Sequence, residues 1–555
     1  MKDAGRAVEI DGGPFDIIVV GGGINGTGIA RDAALRGLKV LLLDKTDIAA
    51  GTTSWSSRLI HGGLRYLEYG EIPLVHESLQ ERERLLRIAS HLVFPLPLTL
   101  PIYSYHKRGP LTIRAGMIAY DVLSWNKSLP RHQMYTRTGA LAHEPGLNPQ
   151  DLKAAARYYD AQIVFPERIS VENMIDAVAH GAIVRNRARV EDLILEAGRV
   201  RGVRFEDDAT GEQFTARGSA VVNVAGPWVD RVLRNAGLET RDNPLLGVTK
   251  GTHIIVEPFR GAPSDALYIE AKTDGRPYFI IPWNNLYLIG TTDDRYDGDP
   301  DRVVPTEDEI AYLLNETNIA IPTAGLTRDS VCYAYAGLRP LPHQKSGSES
   351  AITRRHVIHD HAPQVYGLLS IVGGKLTTFR NLSEQSIDKV GELLGRDLPK
   401  STTGTSLLPG APDSFGAFAR DFQDSRPSWL SEQSSSYLLY VYGSRASDVV
   451  ALAEHDMALR VVVSPATGLI AAAIVFSFTD EHASTLTDAI MRRTMIGYAS
   501  DAGFNALDGV SRAVAHGLGW DDLRIATELE RHREHMTKFL PKALLGTPVA
   551  SPAAM

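Results

Sequence analysis

Three glycines, Gly21, Gly23 and Gly26, punctuate the run VVGGGING that closes a short β-branched apolar stretch. Glycines so spaced let a chain turn tightly off a strand, bring its backbone against a pyrophosphate and pack a helix close to a sheet. Asp44 stands where a carboxylate can accept the hydroxyls of an adenosine ribose, with Lys45 beside it. Thr52, Thr53, Ser54, Ser57 and Arg58 then form a dense loop of donors suited to phosphate and polyol oxygens. A later turn, Gly373-Gly374-Lys375-Leu376-Thr377, opens a helical stretch whose amides and dipole favour negative charge. Together these residue types suit holding a dinucleotide and stabilising charge on it.

A parallel sheet must position them. Residues 16–20 read as its first strand, followed by a helix that stops at Gly37 and a strand over 39–43 ending at Asp44. Residues 220–224 read as a second buried strand turning off at Ala225-Gly226, and 368–372 as a third ending at Gly373. A run over 182–190 ends at Val190, and with 193–195 and 200–205 reads as strands joined by turns at Gly198 and Gly202. The chain thus leaves a nucleotide domain and returns to it twice. FAD lies buried along its length and draws on distant segments, so FAD fits this pattern better than NAD. The Gly373-Gly374 turn then falls beside the isoalloxazine.

With 555 residues the chain exceeds one core. Its net charge of -8 excludes general nucleic-acid binding, which needs a basic face. Cys332 is the single cysteine, which excludes an intrachain disulfide and disfavours a cysteine-built metal site; no metal is expected. The N-terminal stretch lacks the apolar core of a signal peptide. Residues 461–479 carry no charge, but Pro465 and Gly468 interrupt them, so a loop and a buried helix are expected rather than a membrane span.

Along the rest of the chain, residues 72–92 read as an amphipathic helix with an outer Glu83–Arg87 pair. Residues 95–110, rich in proline, read as irregular, and 114–125 and 172–180 as helical. From Thr252 onward short antiparallel strands are expected, with a hairpin through Trp283-Asn284-Asn285. Thr306 caps an acidic helix start. After a linker at 407–413 the chain reads as helical to its end. The expected architecture is α/β: a Rossmann-type FAD-binding domain (15–70, 150–245 and 350–400) interleaved with an antiparallel-sheet substrate domain (71–149 and 246–349), plus an all-helical C-terminal domain (411–555).

The motifs HGGLRYLEYGE (61–71), VVNVAGPWVD (221–230), KGTHIIV (250–256), IIPWNN (280–285), LIGTTD (288–293), AGLRPL (336–341), AITRRH (351–356) and VGGKLTTFR (372–380) resemble FAD-dependent glycerol-3-phosphate dehydrogenase. The resemblance runs from about residue 15 to 400 and continues more loosely, with Arg492-Arg493-Thr494 similar to a motif of that family's C-terminal domain. It implies oxidation of the C2 hydroxyl of sn-glycerol 3-phosphate by hydride transfer to flavin N5. Dihydroxyacetone phosphate is the implied product and a quinone the electron acceptor.

A phosphate dianion needs a cationic clamp, and guanidinium forks suit it. On the family's motifs Arg339 and Arg354 are that clamp, with Arg65, Tyr66 and Lys375 nearby. Hydride leaves C2 only as its hydroxyl proton departs, so a base is required. His253 matches the family's substrate-contacting histidine, and His61 is the alternative. Three other readings stay open: a glycerol-3-phosphate oxidase using oxygen, an amine-oxidising flavoenzyme, and a non-catalytic flavin-binding sensor. A cytoplasmic protein peripheral to the membrane, and a homodimer, are the implied settings. The helix ending HREHMTKFLPK (532–542) has basic and apolar residues for such an interface, opposed by Glu528, Glu530 and Glu534.

Overall fold

The protein is seen in a computed structural model that describes residues 8–238, 244–344 and 354–544; residues 351–353 of the AITRRH motif lie outside them. Phe15–Val20 is buried nearly throughout, as a strand covered on both faces must be. It pairs in parallel with Val40–Leu43 on one side and Gln213–Asn223 on the other. Leu368–Val372 continues the parallel run beyond Gln213–Asn223, and Ile183–Arg185 beyond Val40–Leu43. The two returns of the chain therefore lie beside its start, and the turns at Gly21, Ala225 and Gly373 gather at the carboxyl ends of adjacent strands.

Helix Ile24–Leu35 packs between Pro166–Ala179 and Phe379–Leu394. Its small residues permit this, since a Cβ on Gly28 would come within 2.9 Å of the Phe379 ring. The ribbon forms from Ala188–Glu196, Arg199–Asp207 and the start of Gln213–Asn223. Gly202, expected in a turn, sits instead at a bulge within its strand, where a Cβ would meet Ala216 O at 2.0 Å.

A second, largely antiparallel sheet runs from Asp294–Arg295 through Leu246–Val256, Leu286–Gly290, Pro277–Trp283, Ala266–Glu270, Val93–Tyr103 and Leu152–Ile163 to Leu59–Ile60. Val331–Pro342 pairs along the whole of Leu246–Val256. The hairpin turns through Asn284 and Asn285, both at positive φ, as a two-residue turn between twisted strands requires. Thr306 and Glu309 form a full capping box on Glu307–Ala320.

Three expectations change here. Residues 95–103 are not irregular: Val93–Tyr103 is a strand paired along its length with Leu152–Ile163. Pro95, Pro97 and Pro101 share one parity, so their missing donors fall on one side, where Ala266–Glu270 pairs only at Leu98 and Thr99. Leu152–Ile163 thus belongs to the antiparallel sheet, and the chain rejoins the nucleotide layer only with helix Pro166–Ala179. Glu83 pairs with Arg82 and Ser128 rather than Arg87, which donates to Gly404 O.

The C-terminal region is helical save for a short ribbon between Val462–Ser464 and Leu469–Ile470. Phe415–Ser425 and Glu432–Tyr442 are its first two helices. One apolar core runs without a break from Leu98, Tyr158 and Trp283 of the antiparallel sheet into Tyr442, Ile474 and Tyr498 of the helices. Among the described residues no helix is long and apolar enough to cross a membrane. In the 532–542 stretch, which the sequence leaves open between an interface and a solvated face, His532, Met536 and Phe539 are buried.

Candidate active site

A cleft of ≈ 1180 Å³ opens along the carboxyl ends of the parallel strands. Gly21, Gly23, Asp44, Lys45, Thr52, Thr53, Val190, Ala225, Gly374, Lys375 and Leu376 line it. Gly26 lies behind the turn, where a Cβ would fall 1.8 Å from Gly21 O, so only glycine lets helix and turn touch. Asp44 accepts from Gly22 N at 2.7 Å and Thr46 N at 2.7 Å, which fixes its carboxylate at the strand end. Lys45 pairs with Asp301 and lies 3.9 Å over the Trp228 ring.

The donor loop is sewn to strand Val331–Pro342 and its neighbour. Thr52 Oγ1 donates to Leu338 O at 2.7 Å, and Tyr335 Oη to Ser56 O at 2.9 Å. Between them Trp55 lies over Gly337, where a Cβ would come within 2.6 Å of it. Ser57 Oγ and His253 Nε2 are 2.9 Å apart. Ser54, Ser57, Arg58 and Thr377, expected on the cofactor, are not among the residues lining the cleft. Ser54 is buried and donates to Ala49 O, and Ser57 faces His253. Arg58 is buried in a bidentate pair with Glu167, both bonds at 3.0 Å, between the rings of Trp283 and Tyr498. Gly226 stands at positive φ just past Ala225, and Thr377 bonds the backbone of His61 rather than lining the cleft.

The register explains how the second sheet makes a site. His253 lies opposite Tyr335, Gly251 opposite Gly337 and Thr249 opposite Arg339, so all six share one face. Two glycines between the histidine and the arginine leave room above the sheet. The Arg339 guanidinium occupies part of it, held by Asp293 Oδ1 at 3.0 Å and Thr291 Oγ1 at 3.0 Å. Arg354 reaches the other oxygen of Asp293 at 3.2 Å. Burial pushes the Asp293 carboxyl up, but Arg339 and Arg354 outweigh it and hold it below the usual carboxylate range. One carboxylate so aligns two guanidiniums, and Arg65, close enough to act on the same carboxylate, adds to the cationic surplus.

The HGGLRY and GGKLTT motifs meet on the other flank. Lys375 Nζ donates to Ser78 Oγ at 2.9 Å and sits 4.7 Å over the Tyr66 ring. Burial lowers the Lys375 pKa to about 7. Burial and then Lys375 lower His61 to about 3. Burial, with Arg339 and Arg58 behind it, holds His253 well below the usual histidine range, so its ring is neutral at pH 7.

The far wall of the cleft comes from the C-terminal helices: Arg492, Arg524, Arg531 and Lys538. Asp47, in the loop after Asp44, accepts from Arg492 Nε at 2.6 Å and Arg493 Nη2 at 2.8 Å, with every partner buried.

Residues 16–380 match the family described as FAD dependent oxidoreductase, and 401–525 the C-terminal domain of alpha-glycerophosphate oxidase. A glycerol-3-phosphate dehydrogenase of Synechocystis sp. is 44% identical over 541 residues, covering 95% of this chain and 97% of its own. The chain belongs to the FAD-dependent glycerol-3-phosphate dehydrogenases. A D-erythritol 1-phosphate dehydrogenase of Brucella abortus is 37% identical over 448 residues, 79% of this chain and 86% of that one. Among solved structures, the glycerol-3-phosphate dehydrogenase from Bacillus halodurans complexed with FAD superposes with TM-score 0.76 at 27% identity, over 95% of this chain and 96% of that one.

The cofactor of this FAD-dependent dehydrogenase fold has a site that fits it. Besides the glycine turns, the buried Asn25 Oδ1 and Trp228 Nε1 on the cleft wall have no protein partner, and both can bond a polar ligand. Sequence reasoning offered Thr291-Thr292-Asp293 equally as pocket residues and as a strand-end turn, and missed Ser57 as a partner of His253. It also missed the C-terminal wall, for which the adjacent arginines of Arg492-Arg493-Thr494 were the available signal.

Proposed function

We propose that the enzyme oxidises the C2 hydroxyl of sn-glycerol 3-phosphate to dihydroxyacetone phosphate and passes the electrons to a quinone. The observation that carries the substrate is Arg339 and Arg354 aligned on Asp293, with Arg339 on the sheet face that also carries His253. Two forks with a cationic surplus suit a phosphate dianion and have nothing to offer a secondary amine.

Arg339 and Arg354 hold the phosphate, with Arg65, Tyr66 and Lys375 closing its flank. His253 takes the C2 hydroxyl proton. Its neutral ring can accept one, and a dianion bound at Arg339 offsets the cation that depresses it, so its proton affinity rises as substrate arrives. His61 is the second candidate, but its pKa of about 3, set by burial and Lys375, makes it the poorer base. Bound FAD supplies the hydride acceptor at N5. Thr52, Thr53, Asp44 and Lys45 hold its adenosine and phosphate parts, and the Gly373-Gly374 turn holds the ring end.

Anaerobic addition of sn-glycerol 3-phosphate should bleach the oxidised flavin within one turnover, and D-erythritol 1-phosphate should do so less efficiently. Reoxidation by a soluble quinone should then outpace reoxidation by oxygen. No bleaching would defeat the substrate assignment; faster reoxidation by oxygen would make the enzyme an oxidase. The proposed setting is the cytoplasmic face of the membrane, where quinone is available, with the chain as a homodimer.

A further inference from the structure

Strands Leu286–Gly290 and Asp294–Arg295 both pair with Leu246–Val256, which sets Gly290 opposite His253 and Asp294 opposite Lys250. Between those pairs one strand has Gly251 and Thr252, while the other has Thr291, Thr292 and Asp293. The extra residue makes 291–293 a bulge, a device that re-aims side chains where a sheet passes a site. Thr291 Oγ1 and the Asp293 carboxylate take the Arg339 guanidinium on one side. Thr292 is buried and turns the other way, toward helix Glu307–Ala320.

A bulge interrupts the ladder that fixes a strand, so side chains must hold it. Thr252 N donates to Thr292 Oγ1 at 2.9 Å, and that hydroxyl donates to Glu309 Oε1 at 3.1 Å. Glu309 Oε2 takes the Lys250 ammonium at 2.7 Å and the Thr306 amide at 2.8 Å. Burial pushes the Glu309 carboxyl up, but Lys250 and Thr306 outweigh it and hold it below the usual carboxylate range. Closing the capping box needs only the bonds to Thr306. The other oxygen goes to the bulge, and Lys250 adjoins Thr249, which lies opposite Arg339. The Thr292 carbonyl in turn accepts from Arg339 Nη2 at 3.1 Å and from Thr291 Oγ1 at 3.0 Å. Thr292 thus links a carboxylate behind the sheet to a guanidinium in front of it.

We propose that Glu309 is a positioning residue for the phosphate clamp, holding the bulge through Thr292 so that Arg339 and Asp293 stand ready for substrate. The proposal rests on the reading of Arg339 as a phosphate ligand. Without the carboxylate, a buried hydroxyl and a buried ammonium both lose their partner. The bulge then relaxes, and the arginine tethered to it follows. His253 is held by its own pairing with Gly290 and Tyr335 and by Ser57, none of which involves Glu309. The loss therefore falls on binding rather than on hydride transfer.

The test is anaerobic stopped-flow reduction of the full-length holoenzyme over a range of sn-glycerol 3-phosphate, with inorganic phosphate as competitor. Glu309→Gln can still close the capping box, but its single carbonyl cannot serve Thr292, Thr306 and Lys250 together. It should raise the apparent Kd for substrate about five- to tenfold, the worth of one hydrogen bond. The limiting rate of reduction should stay within about twofold. Inorganic phosphate should weaken as an inhibitor by the same factor, because it carries only the group the clamp holds. Thr292→Val removes the hydroxyl alone and should reproduce both changes, even if Glu309→Gln fails to fold. Thr306→Ala should lower Tm and leave the Kd unchanged, since it loosens the helix end but keeps Glu309 on Thr292. The proposal is overturned if Glu309→Gln and Thr292→Val bind substrate and phosphate as the wild type does. It is also overturned if Thr306→Ala weakens binding as much as they do, or if the limiting rate falls while the Kd holds. Should Arg339→Ala also leave the Kd unchanged, the clamp reading itself fails; should that variant alone weaken binding, only the Glu309 link is lost.

Discussion

Ser57 Oγ and His253 Nε2 stand 2.9 Å apart, joining the donor loop of the nucleotide layer to the substrate face of the second sheet. The hydroxyl fixes the imidazole in a buried site where Nδ1 has no protein partner. Ser57→Ala should therefore slow flavin reduction by up to about tenfold, the worth of one neutral hydrogen bond. His253→Ala should slow it by roughly 10²–10⁴-fold, with substrate binding close to normal. Stopped-flow reduction is the measurement, and wild-type speed in His253→Ala would hand the proton to His61.

Arg339 is the better held of the two clamp arginines, with Asp293, Thr291 and the Thr292 carbonyl around it. Arg339→Ala should cost about 2–5 kcal/mol in kcat/KM for sn-glycerol 3-phosphate. Arg339→Lys should recover little, because an ammonium cannot reproduce the fork. An unchanged kcat/KM in the alanine variant removes the clamp role.

Lys375 titrates near pH 7 because burial outweighs its acidic neighbours. A phosphate dianion favours the charged ammonium, so substrate binding takes up a proton above that pH. KM should rise by up to about tenfold per unit as pH climbs past 7, and Lys375→Arg should flatten the rise. A KM that stays level from pH 6.5 to 9 in the wild type would separate this lysine from phosphate binding.

Arg493 is buried against Asp47, which Arg492 also holds. Arg493→Ala leaves a buried carboxylate short of a partner and should cost about 3–5 kcal/mol of stability. Because Asp47 lies in the loop between Asp44 and Thr52, FAD should also leave faster. Thermal denaturation and flavin release together check this, and a variant that melts as the wild type does would refute it.

Gly26→Ala would place a Cβ 1.8 Å from Gly21 O, closer than any tolerable contact. The variant should be isolated without the flavin absorbance of the wild type. Normal cofactor content would mean that helix and turn separate more easily than their packing implies.

The cofactor domain was legible because its signal is local: a strand, a glycine turn, a helix and an acid within one short stretch. The helix cap at Thr306 and the Asn284-Asn285 turn were legible for the same reason. Val93–Tyr103 was not, since its prolines spoil every local strand signal and only a partner on one side makes them harmless. The 532–542 stretch left a membrane interface and a solvated face both open because charge and hydropathy alone do not say which face is already covered. Its residues Met536 and Phe539 are used inward.

Residue type and spacing determined the dinucleotide fold and favoured FAD, and the resemblance to the dehydrogenase family named the candidates for clamp and base. Tertiary structure alone decided what those candidates touch. Asp293 is an ordinary acid in a row of polar residues until Val331–Pro342 and the 354 segment bring two guanidiniums onto it. Arg58 reads as a phosphate ligand until Glu167 takes its fork, and Ser57 as another until His253 meets it. The reason is physical: a glycine turn is specified by neighbours along the chain, but a charge or a hydroxyl takes its role from partners that only sheet register and helix packing supply.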